Sequence, residues 1–71
     1  MRQRFDVVQA RDAAIVHALK KGPQQAAALL DVLPREPGQT AEQREAAVRN
    51  ALTRLRVKKL IRAVDEGWVL A

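Results

Sequence analysis

Apolar positions recur at helical spacing over most of this chain, then shift to short apolar runs near its end. Val8, Ile15 and Leu19, with Arg11 and Asp12 between them, follow a helical period and predict a first helix over about 6–21. Asp6 is its expected N-cap, Lys20 and Lys21 suit the negative end of the helix dipole, and Gly22-Pro23 supplies a left-handed cap and a stop. A second, short helix is expected over about 24–33, with Ala26, Leu29, Leu30 and Leu33 turned inward and Pro34 closing it. Pro34-Arg35-Glu36-Pro37-Gly38-Gln39 reads as a turn-rich loop. Thr40-Ala41-Glu42-Gln43 then matches a capping box, so a third helix should start near Thr40 and run to Lys58 or Lys59. Within it Val48, Ala51, Leu52 and Leu55 stand at i, i+3, i+4 and i+7, one face of a helix.

Beyond that point the period changes. Leu60-Ile61-Arg62-Ala63-Val64 and Trp68-Val69-Leu70 are apolar runs separated by the turn Asp65-Glu66-Gly67, which predicts a β-hairpin over about 60–71. An isolated hairpin is not stable in water, so the side bearing Leu60, Trp68 and Leu70 is expected to pack on the helices. The predicted class is mainly α with a small β-hairpin: three helices and a hairpin in one domain, residues 1–71, with 1–5 as a possible arm. A chain of 71 residues buries only about 60% of its unfolded surface, so its stability is expected to be marginal.

Charge sharpens the picture. The net charge is +5, but the stretch 44–62 holds seven Arg or Lys against one Glu, a local charge of +6. The stretches 23–43 and 63–71 each carry −2 and the stretch 1–22 carries +3. Segregation of this kind implies a basic face, and a basic face in a small domain points to nucleic acid or another anionic surface. Aromatics are limited to Phe5 and Trp68, too few for the stacking platforms of single-stranded nucleic-acid binders. Double-stranded DNA is the expected polymer. The chain has no cysteine, which removes disulfides and thiolate metal sites. No apolar stretch is long enough to span a bilayer, and no apolar segment of signal-peptide type follows Met1-Arg2-Gln3-Arg4. A cytoplasmic protein without membrane contact is expected.

The run Val48-Arg49-Asn50-Ala51-Leu52-Thr53-Arg54-Leu55-Arg56-Val57-Lys58-Lys59-Leu60-Ile61 resembles the recognition helix and first wing strand of the winged helix-turn-helix family of DNA-binding domains. Asp65-Glu66-Gly67-Trp68-Val69-Leu70 is similar to the wing tip and second wing strand, and Ala26-Ala27-Ala28-Leu29-Leu30 looks like the supporting helix. The resemblance covers about 11–70. Two departures stand out. Lys59 occupies the place where family members usually carry Gly, and the connection between Leu33 and Arg44 is longer than a tight helix-turn-helix turn.

The resemblance implies a recognition helix in the major groove, whose N-terminal half usually meets base edges. With Leu52 at the centre of the buried stripe, Ala46, Asn50, Thr53 and Val57 face away from the core. Arg49, Arg56 and Glu45 lie on one flank, Arg54 and Lys58 on the other. Arg49 suits guanine and Asn50 adenine, and Thr53 reaches a base or a phosphate. Arg54, Arg56 and Lys58 are candidate phosphate contacts, Arg62 serves from the wing, and Arg44 opens the basic run.

Blander readings stand beside these. Cations on a helix most often form a solvated face. His17 has no second metal ligand at i+4, and Asp65 and Glu66 belong to turn chemistry. Trp68 reads as core before it reads as a partner contact, and Met1-Arg2-Gln3-Arg4 as a fraying end before a DNA-touching arm. No nucleophile–base set, glycine-rich phosphate loop or acidic metal cluster is legible. No enzyme, cofactor, metal or small-molecule effector is therefore expected. The expected function is a small sequence-specific transcriptional regulator, a repressor type of bacterial, phage or plasmid origin. A homodimer through Phe5, Val8 or Trp68 is one possible assembly. The alternatives are a module that docks an acidic protein and an excisionase-like architectural DNA-binding factor.

Overall fold

The computed structural model describes residues 4–71, with side chains described from residue 7 onward. Helix α1 spans Arg4–Leu19, α2 spans Ala26–Leu29, α3 spans Ala41–Val57, and strands β1 (Ile61–Val64) and β2 (Gly67–Leu70) form the hairpin. Three helices and an antiparallel two-stranded hairpin are therefore the architecture, compatible with a small winged fold. The core joins Ile15, Ala18 and Leu19 of α1, Leu29 and Leu33, the Ala47, Val48, Ala51, Leu52 and Leu55 face of α3, and Ile61. The four positions expected from the period of α3 are all buried.

Several boundaries differ from the sequence expectation. Asp6 lies inside α1 rather than capping it, since the helix already includes Arg4. At its other end α1 unwinds after Leu19 through single-turn bonds, Lys21 N–H to Ala18 O and Gly22 N–H to Leu19 O. Gly22 then takes φ +131°, which only glycine adopts readily.

Helix α2 is one turn long, and its start at Ala26 replaces the expected start at Gln24. Gln24 is extended instead and bridges the wing: its N–H donates to Trp68 O at 3.0 Å and its carbonyl accepts from Trp68 N–H at 2.8 Å. Beyond Leu29 the chain continues in turns to Val32. Ala26 is exposed, because one turn of helix can bury only Leu29 directly beneath it.

The hairpin pairs Ile61 with Leu70 and Ala63 with Trp68, placing all four on one face. Ile61 fills the core, and Trp68 and Leu70 pack against it. Leu60 does not: it is 49% exposed, which corrects the expected inward face by one residue. Its backbone explains the shift. Lys59 N–H bonds to Arg56 O and Leu60 N–H to Leu55 O, a Schellman closure of α3 that turns the chain before the strand begins. The expected arm falls largely on residues 1–3, outside the described residues, as does the side chain of Phe5.

Candidate nucleic-acid interface

Helix α3 is fixed at its start by the capping box expected from Thr40 and Gln43. Thr40 Oγ1 accepts from Gln43 N–H at 3.1 Å, and Gln43 Oε1 accepts from Thr40 N–H at 2.9 Å. At its end stands Lys59 with φ +63°, a left-handed residue that is not glycine. Between these caps the helix buries its apolar stripe in the core shared with α1 and turns its opposite face outward.

The arginines of the basic run divide into two groups. Arg44 is half-buried and committed inward: Nη2 donates to the carbonyls of Leu30 and Leu33, and Nη1 donates to Gln39 Oε1 at 3.3 Å. It caps the carbonyl end of the α2 turn and ties down the long loop. Arg54 is also committed. Its guanidinium grips Asp12 of α1 in a fork, Nη2 to Oδ1 at 2.7 Å and Nε to Oδ2 at 3.3 Å. The Arg54 side chain keeps about a third of its exposure, 32%. These two members of the expected site are thereby drawn into the fold, because each has a carbonyl or carboxylate within reach that the helix pattern alone does not show.

Arg49, Asn50, Thr53, Arg56, Lys58 and Arg62 are exposed. Arg49, Arg56, Lys58 and Arg62 make no ion pair among the described side chains. The Thr53 hydroxyl donates to Arg49 O at 3.0 Å, which holds it against its own helix while the residue stays exposed. Lys59, not among the expected contacts, is exposed beside Lys58 and adds a cation to the junction of helix and wing. The acids sit at the extremities: Glu42 and Glu45 on the first turns of α3, Asp65 and Glu66 at the hairpin tip. The exposed cations therefore lie on two flanks of α3, Arg49 and Arg56 on the side of α2 and Lys58 on the side of α1, with Asn50 and Thr53 on the outer face near Arg49 and Arg62 on the hairpin.

Two more features are not legible in the sequence. Arg11 of α1 pairs with Glu36 of the loop, Nη2 to Oε2 at 2.6 Å. An apolar trough also opens between α2, α3 and the wing, with Ala27, Leu30, Val57 and Trp68 in its lining. His17 is exposed, and no group of three metal-ligating side chains occurs among the described residues. No helix among them is long and apolar enough to cross a membrane. Comparison with protein-family models, curated proteins and solved structures gives no match.

Proposed function

We propose that this protein binds double-stranded DNA, with α3 in the major groove and the wing beside the phosphate backbone, as a small sequence-specific regulator. The observation that carries the reading is the exposed stripe itself. Arg49, Asn50, Thr53 and Arg56 share the outer side of a helix capped at both ends, Lys58 stands on its α1 flank, and Lys59 and Arg62 carry positive charge onto the hairpin. Arg49 offers a two-pronged donor for guanine, Asn50 the donor–acceptor pair for adenine, and the cations nearer the wing grip phosphates. The resemblance to winged helix-turn-helix domains supports the same docking. Arg44 and Arg54 leave the contact set.

The test is fluorescence anisotropy of a labelled duplex of random sequence across a salt series, followed by selection of preferred sites. Contact with three to five phosphates gives a log–log salt slope of about −3 to −5. A folded protein that leaves the duplex unbound at low salt would falsify the proposal.

A further inference from the structure

The exposed stripe leaves one feature unused. Between α2, α3 and the base of the wing lies an open trough of about 880 Å³. Leu30, Leu52 and Trp68 form its floor, and Ala27 and Val57 stand at its edges. Val57 is 75% exposed, and Ala26 and Ala27 are exposed too, their short side chains leaving the trough unfilled. A marginally stable domain gains nothing by keeping such a surface wet, and concave apolar surfaces rimmed by polar groups mark binding sites.

The rim narrows the choice of occupant. Arg49 and Arg56 line the α3 edge seven residues apart, two helical turns or about 10 Å. Glu45 marks the far end. Duplex DNA presents phosphates and base edges and has little apolar matter to fill a trough of this size. A second copy of this chain brings a net charge of +5 to a rim that already carries Arg49 and Arg56, which disfavours it. An amphipathic helix with an apolar stripe and acidic residues beside it satisfies both floor and rim: its leucines enter the trough and its carboxylates pair with Arg49 and Arg56.

We infer that this trough docks an acidic amphipathic helix of a protein partner. Arg49 and Arg56 belong also to the proposed DNA stripe, so the partner and DNA compete for them, and occupation of the trough releases the duplex. Docking of the helix does not rest on DNA binding; only the competition for Arg49 and Arg56 rests on that reading.

The probe is a synthetic peptide of about 14 residues, long enough at 1.5 Å per residue to span the trough, with leucines at i, i+3, i+4 and i+7 and glutamates elsewhere. Its twin carries lysine in place of every glutamate. Each is titrated into the full chain without DNA, followed by Trp68 emission and by amide shifts of isotope-labelled protein. The acidic peptide is expected to move Trp68 and the amides of Ala27, Leu30 and Val57, and the lysine twin to leave them in place. Ala27→Glu, at an exposed position, is expected to weaken the acidic peptide about tenfold while the circular dichroism is unchanged. Equal response to both peptides overturns the inference. So do shifts confined to Arg49, Arg56 and Arg62 with the floor unmoved, which would be charge attraction alone. With no DNA in the cell, failure here leaves the DNA reading standing, and failure of the duplex titration removes the competition and leaves the docking of the helix standing.

Discussion

Lys59 offers a sharp test of how α3 joins the wing. Its φ of +63° places an L side chain in the left-handed region, at the residue that closes a Schellman turn. That conformation costs a residue with a Cβ about 1–2 kcal/mol, and glycine escapes it. Glycine also gives the unfolded chain more freedom, which takes back about 0.5–1 kcal/mol. Against a reference of equal charge that keeps its Cβ, Lys59→Gly should therefore stabilise the fold by about 0.5–1 kcal/mol. In a domain of this size that raises Tm by about 2–8 °C. The substitution also removes a cation from the negative end of the α3 dipole, an effect of about 0.3–1 kcal/mol in the opposite direction. Lys59→Ala is the needed reference, since it loses the same charge and keeps the Cβ. The assay is thermal and urea unfolding of the three proteins at low salt. Lys59→Gly must exceed Lys59→Ala, and Lys59→Val must fall below it, because a β-branched side chain fits the left-handed region worst. Equal midpoints for Lys59→Gly and Lys59→Ala would refute the strain argument.

Gly67→Ala should be far more damaging: a Cβ there would stand 2.4 Å from Gln24 O, on backbone at φ +128°, so a loss of more than about 2 kcal/mol is expected. Unchanged unfolding of that variant would mean that the Gln24–Trp68 bridge is not formed. A double-mutant cycle of Asp12→Ala and Arg54→Ala should return a coupling of about 0.5–1 kcal/mol, modest because Arg54 keeps a third of its exposure, while duplex affinity barely moves. A large affinity loss in Arg54→Ala, with stability intact, would return Arg54 to the DNA contacts. Neutralising the hairpin tip with Asp65→Asn and Glu66→Gln should tighten duplex binding at low salt and have less effect at high salt, since the two exposed acids lie at the turn of the hairpin that carries Arg62, three and four positions along the chain from it. Unaltered affinity at low salt would put the tip away from the phosphates.

Much of α3 is legible in the order of its residues. Its buried stripe follows from spacing, its start from Thr40 and Gln43, and its two flanks from 100° steps. Arg54 does face α1, where it meets Asp12, and Arg49 and Arg56 do face the opposite flank. Local signals fix these features, and local signals are what a sequence displays. The shortness of α2 is hidden because it depends on Gln24 meeting Trp68 across 44 positions. Leu60 and Ile61 are interchangeable as core residues, since an apolar pair fits either register and only the turn at Lys59 chooses. Arg44 looks like its neighbours, because the carbonyls it caps belong to backbone that any sequence could supply. Arg11 and Asp12 show only as polar breaks in a helical period, yet they anchor a loop and a helix.

These anchors bear on the salt experiment itself. The loop between α2 and α3 is held by Arg11–Glu36 and by Arg44 on the carbonyls of Leu30 and Leu33, so salt acts on the fold and on the proposed interface at once. The two responses differ in size. A contact pair at 2.6 Å is far inside the screening length of about 10 Å at 0.1 M salt, and loses little between about 50 and 200 mM. Release of counterions from about four phosphates gives a slope of about −3.6, hence about a 150-fold loss of affinity over the same interval. Melting curves taken at each salt concentration separate the two. A steep fall in affinity with a nearly constant Tm assigns the dependence to the exposed stripe. A fall in Tm that runs parallel to the loss of binding would place the salt-sensitive charges inside the fold, and the stripe from Arg49 to Arg62 would no longer be needed to explain it.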